Sequence, residues 1–261
     1  MSGRKTARRS IFLALAGLGI LFTACSAHSQ TAEEKPYDPI TLLEDLSSDL
    51  GKLKQFSFET TGMFDERDGD RHIKRVMTWS ISVARPNRLV VKVVADDGET
   101  WLTDFDGIRA QIFYVGSKEY ANIPFEGDIT AFVDFADRSG LSKTPLNDFL
   151  RKDLFGDIER SIFDATLIAG YDDPDEADDL IHHVFYQIAN TNWQLWIRED
   201  TERYTPHRSV VTYVNRLGSP EHVNEFRNWK FSTDVDAAAK AYGIPKNLEG
   251  WKKVDFVNPA V

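Results

Sequence analysis

The sequence predicts an α+β protein built mostly from antiparallel strands. A stripe of leucines at helical spacing occurs near the start and gives way at Gln55 to period-two alternation. From Phe56 to Val115, turn signals return about every ten residues, the habit of sandwiches, barrels and strongly curved sheets. Near the C-terminal third, Asn192 to Arg198 and Arg208 to Val214 are rich in β-branched and aromatic residues, and a polar linker with a proline separates them, as in two adjacent antiparallel strands.

Residues 1–24 read as a secretory signal peptide. Arg4, Lys5, Arg8 and Arg9 precede an apolar run from Ile11 to Phe22, followed by small residues. The run is too short for a bilayer-spanning mature helix. Cys25, the single cysteine, stands where a bacterial lipobox places the residue that is acylated. Phe22 occupies the place usually held by Leu, and cleavage after Ala27 or Ser29 is the alternative. A lipid on Cys25, with no Asp after it, implies anchoring at the outer membrane. Either route places the chain in the periplasm without a disulfide.

Residues 25–36 are small and polar, as in a tether. A domain over 37–235 follows, then a tail over 236–261. Asp38-Pro39 offers an N-cap and a first-turn proline, and Ile40, Leu43, Leu46, Leu50 and Leu53 make one apolar stripe to lie on a sheet. Five strands are expected between Phe56 and Val115, with Asp96-Asp97-Gly98 as a hairpin turn and Asp106-Gly107 as a type I′ signal. Two short helices, Ile129–Ser139 and Pro145–Leu154, form an insertion near 129–155 that covers one face or closes one mouth of the sheet. About five strands then run from Ile162 to Phe231. The tail, with a short helical run and Trp251, is expected along the surface.

With 41 acidic against 31 basic residues and a net charge of −10, the chain is poorly suited to nucleic acid or to electrostatic docking on anionic lipid. The acidic loop Asp172–Asp179 lacks the spacing of a calcium loop and reads as a solvated charge run. His182 and His183 are neighbours that point to opposite faces of a strand, and the other histidines are scattered, so no metal is expected. There is no G-x-S-x-G elbow and no glycine-rich phosphate loop, which leaves no catalytic residue or cofactor to name.

The apolar inventory remains, with 6 Trp, 8 Tyr and 17 Phe. Trp79, Trp101, Trp193, Trp196 and Trp229 all fall on expected strands. Alternation puts Trp193, Leu195 and Ile197 on one face and Gln194, Trp196 and Arg198 on the other. The tryptophans either pack between sheet and helices or face an apolar pocket in a concavity too large for its own side chains.

A series of signposts adds a resemblance. Tyr37-Asp38-Pro39, Phe56-Ser57-Phe58-Glu59-Thr60, Arg85-Pro86-Asn87-Arg88-Leu89, Asp106-Gly107, Tyr120-Ala121 with Pro124, Pro145-Leu146 before Asp148-Phe149-Leu150, Trp193-Gln194-Leu195-Trp196-Ile197, Pro206 with Arg208, and Phe226 with Trp229 occur in order. The chain resembles the predicted periplasmic proteins catalogued as domain of unknown function 2092, themselves similar in fold to the periplasmic lipoprotein carriers and lipoprotein-binding sensors. The resemblance implies an unclosed half-barrel of about eleven antiparallel strands with helices on the concave side, and supplies no catalytic residues. The function expected is non-enzymatic: an envelope protein that binds a lipid, a lipoprotein acyl chain or another amphiphile, with Trp79, Trp101, Trp193 and Trp196 lining the sheet. The alternative is an envelope-anchored interaction module with a filled core and a protein partner.

Overall fold

The computed structural model describes residues 37–256 except 69–70, 142–144, 175 and 177–178. The leader, Cys25 and the tether lie outside the described residues, as does part of the acidic loop. From Tyr37 onward the chain is one compact unit.

Helix α1 (Pro39–Lys52) starts as its sequence dictates. The Asp38 carboxylate accepts from the Thr41 amide at 2.8 Å, and Pro39 fills the first turn. Leu42, Leu43, Leu46 and Leu50 are buried, and each such side chain contributes about 2 kcal/mol by leaving water. Leu53 then turns to extended backbone and the sheet begins.

The first meander comprises β1 (Gln55–Asp68), β2 (Arg71–Ala84), β3 (Arg88–Ala95), β4 (Thr100–Phe105), β5 (Arg109–Tyr114) and β6 (Glu119–Pro124). The second comprises β7 (Ile162–Asp172), β8 (Leu180–Ile188), β9 (Thr191–Glu199), β10 (Tyr204–Thr212) and β11 (Glu221–Lys230). β6 is a sixth strand where five were expected: Glu119–Pro124 is short and ends in proline, yet it pairs with β5 along its whole length. The β4–β5 turn is also not type I′. Gly107 alone has positive φ, +87°, and the Asp106 carboxylate accepts from the amides of Ile108 and Arg109.

Antiparallel pairing of β1 with β11 joins the two meanders. The order is β12-β6-β5-β4-β3-β2-β1-β11-β10-β9-β8-β7, where β12 (Lys252–Val254) adds to β6 in parallel. Among the described residues this is a single curved sheet of twelve strands that does not close, since β12 and β7 are its two edges. Register shifts between Ser57 and Glu59 and between Pro206 and Arg208 mark irregularities in the central strands, of the kind that bends a sheet.

The topology accounts for the helical cover. The chain leaves β6 near one edge and must begin β7 at the other, so the connection crosses the concavity. It does so as α2 (Ile129–Ser139), a 3-10 segment (Pro145–Leu150) and α3 (Leu154–Ile158). Ile129, Phe132, Val133, Leu146, Phe149, Leu150 and Leu154 enter the same buried cluster as the α1 leucines and the inward residues of β1–β5 and β8–β11. The tail does more than lie along the surface. Its helix α4 (Val235–Tyr242) packs Val235 and Ala239 on Val90 at the outer face, and β12 extends the sheet edge.

Candidate functional site

The inner face changes character along its strands. At the end where β1 begins it is sealed: Phe56, Val83, Leu89 and Phe105 are almost fully buried, and Phe132 of α2 stacks on Phe105 with centroids 4.4 Å apart. Four residues further along, a single cross-strand row runs Thr60, Trp79, Val93, Trp101, Tyr114. Trp79 is buried, whereas Val93, Trp101 and Tyr114 are half-buried. Met77 and Phe64, on the inner face of β2 and β1 nearer the hairpin tips, are half-buried too. The helices seal one half of the concavity and leave an apolar lip at the other.

Trp79 and Trp101 thus share one row at that lip. Trp193 is also on the inner face, in the cross-strand row of Phe64 and His222, but it is covered: it lies between Tyr186 (centroids 5.5 Å) and Phe149 (6.2 Å), and its indole N–H donates to the Ser209 hydroxyl at 2.8 Å. Trp196 is separate. It lies on the outer face, stacked on His183 at 3.9 Å with Arg208 over the ring at 5.1 Å. Period-two alternation requires that separation, so Trp196 does not line the concavity with the other three.

Polar groups lie at the base of the lip. A Cβ on Gly62 would stand 2.5 Å from Cζ3 of Trp79 and 2.8 Å from Oδ1 of Asn224, so the Trp79 ring lies flush on the β1 backbone and against Asn224. The Asn224 amide and the Thr60 hydroxyl are fully buried there without a protein hydrogen-bond partner. Next to them His222, tilted against Phe64 at 5.2 Å, is pushed down to about 4 by burial. A glycine inside a strand pattern signals close approach, which makes Gly62 legible in the sequence. The burial of Asn224 depends on the β1–β11 pairing and has no local signal.

The remaining polar clusters hold the fold together. His182, buried on the inner face, shares a 2.6 Å hydrogen bond with Glu199, whose other oxygen accepts from the Tyr204 hydroxyl at 3.0 Å. Burial and this carboxylate push the Tyr204 phenol far above its ordinary range. The acidic loop is not wholly solvated, because Asp173 is buried and ion-paired with Arg198 at 2.8 Å. Loop charges that look alike in sequence divide according to whether a strand arginine lies beneath them. Among the described residues no three His, Cys, Asp or Glu side chains converge as a metal site, and no helix is long and apolar enough to cross a membrane.

The described residues thus form a curved, open twelve-stranded sheet, a half-barrel with helices in its concavity. The family model for predicted periplasmic proteins (DUF2092) matches residues 40–256, and the chain belongs to that family. Among curated proteins nothing matches it. Solved structures similar to it include a LolA superfamily protein from Nitrosomonas europaea, at 9% identity over 77% of this chain and 96% of the other with a TM-score of 0.36. LprF from Mycobacterium bovis is similar at 11% identity over 76% and 95%, TM-score 0.43. A chain of the Pseudomonas aeruginosa MucA/MucB complex is similar at 15% identity over 77% of this chain and 60% of the other, TM-score 0.42.

Proposed function

We propose that this periplasmic protein is a non-enzymatic envelope component that takes up the apolar part of an amphiphile, a lipid or the acyl chain of a lipoprotein, on the half-covered end of its inner face. Cys25, if acylated, holds it at the outer membrane. The passage from a sealed to a half-covered apolar surface along the same strands carries this reading. Trp101, Tyr114, Val93, Met77 and Phe64 give an acyl chain an apolar wall, and Trp79 and Trp193 form its floor and far end. An uptake site should be concave and largely apolar, as this surface is; Thr60 and Asn224 are fully buried at its base, beside Trp79.

Titration with a brominated long-chain fatty acid, read by tryptophan quenching, tests the reading. The native chain should be quenched saturably. Trp101→Ala should weaken binding about tenfold, the equivalent of about 1.4 kcal/mol of lost apolar contact, while Trp196→Ala, on the outer face, leaves it unchanged. Equal losses in both variants, or no saturable quenching, would remove the inner face as the site. A second reading, an interaction module with a protein partner, is favoured by the closed packing around Trp193, which is only 6% exposed beneath Phe149.

A further inference from the structure

At the sealed end of the sheet, on the opposite side of the helical cover from the lip, lies a half-open notch of about 310 Å³. Its walls come from three places: the end of α1 with the start of β1 (Gly51 to Lys54), the β2–β3 turn (Arg85, Pro86), and the inserted helices (Asp128, Thr130, Lys152). Four of these side chains are cationic and one is a carboxylate, in a chain whose total charge is −10. Lys52 is spent in part on Asp49 at 3.0 Å. Lys54 and Lys152 are exposed and make no ion pair among the described residues. Arg85 is fixed, donating to the carbonyls of Leu150 at 2.9 Å and Arg151 at 3.0 Å with its guanidinium over Phe56. Asp128 is engaged in capping α2 through the Ala131 amide at 2.8 Å.

Convergence here is built into the backbone. Gly51 lets the last turn of α1 touch the inserted segment, since a Cβ there would meet the Lys152 carbonyl oxygen at 2.5 Å. The Lys152 amide donates to the Thr130 hydroxyl at 3.2 Å, which leaves that hydroxyl its own proton to give. The Arg85 amide donates to the Lys54 carbonyl at 2.7 Å, which sets the two cationic residues side by side, just before β1 and just after β2.

We propose that this notch binds a phosphate group, with Lys54 and Lys152 as its charged clamps, Arg85 as the fixed positive wall and Thr130 as a hydroxyl donor. Charge-assisted bonds from several donors suit a compact, multiply charged oxyanion. The site is separate from the lip and does not depend on what the inner face carries. The phosphate comes either as a small anion in solution or as the headgroup of a membrane lipid.

Inorganic phosphate titrated into the purified protein and followed by isothermal calorimetry is the first arm. Co-sedimentation with phosphatidylglycerol vesicles, against phosphatidylcholine vesicles, is the second. Lys54→Gln with Lys152→Gln should weaken phosphate binding about tenfold or more. Asp128→Asn, which keeps a competent helix cap, should strengthen it. Calorimetric binding without vesicle capture assigns a small anion. Capture by phosphatidylglycerol that the lysine variant loses assigns a lipid headgroup. No binding in either arm, or binding that neither variant changes, overturns the proposal, and circular dichroism of each variant separates that result from a failure to fold.

Discussion

Gly62→Ala places a methyl group where the inner face has no room. The new Cβ would lie 2.5 Å from Cζ3 and 2.9 Å from Cη2 of Trp79, and 2.8 Å from Oδ1 of Asn224. Carbon atoms in good contact stand about 3.5–4.0 Å apart, so the indole must retreat by about 1 Å or the β1 backbone must yield. Trp79 is 7% exposed and Asn224 is fully buried, so neither has free space to move into. Overpacking of this kind costs about 1–3 kcal/mol, and replacing glycine in a strand returns roughly 0.5–1 kcal/mol through the unfolded chain. The net expectation is a loss of about 1–2 kcal/mol, or about 3–6 °C in Tm for a domain of this size. Urea denaturation followed by tryptophan fluorescence measures it. The same substitution made on a Trp79→Leu background should cost markedly less, since the contact is then gone. An unchanged or raised midpoint for Gly62→Ala alone would refute the close packing of Trp79 on β1.

Further outcomes follow from the polar clusters. Burial holds the folded His222 near pKa 4 against about 6.5 unfolded, so its contribution is present above pH 6.5 and is lost as pH falls toward 4. Urea midpoints between pH 7.5 and 4.5 should therefore fall less steeply in His222→Gln, by a difference on the order of 3 kcal/mol across that window. Arg198→Ala leaves the Asp173 carboxylate buried without that cation, and should lower stability by about 3 kcal/mol in chemical denaturation. Tyr186→Phe removes the 2.8 Å hydrogen bond from the phenol to the Pro39 carbonyl. It should cost about 1 kcal/mol and speed amide exchange in the first turns of α1.

The local parts of the fold were legible and the long-range parts were not. Asp38, Pro39 and the leucine stripe specify α1 by capping and spacing alone, and alternation puts His182 and His183 on opposite faces. β6 escaped because Glu119–Pro124 is brief and carries proline, so its strand character comes from β5 and β12 rather than from its own residues. The β1–β11 pairing joins segments about 160 residues apart, and no local pattern encodes it. With it goes the placement of Asn224 beneath Trp79. Of the four tryptophans expected on one lining, alternation already divided Trp193 from Trp196. Only the assembled sheet shows that the outer partner sits with His183 and Arg208 while Trp79 and Trp101 share a row at the lip. The cations of the notch were present in the sequence as scattered residues, and the close approach at Gly51 gathers them.

The protein purified from a bacterial envelope under native conditions, extracted with organic solvent and analysed by mass spectrometry together with the intact chain, addresses the amphiphile claim most directly. An amphiphile is expected in the extract at about one per chain, diminished in Trp101→Ala and retained in Trp196→Ala. An extract empty of lipid from a folded native protein, with or without acylation of Cys25, would contradict it and leave a protein partner as the occupant to seek.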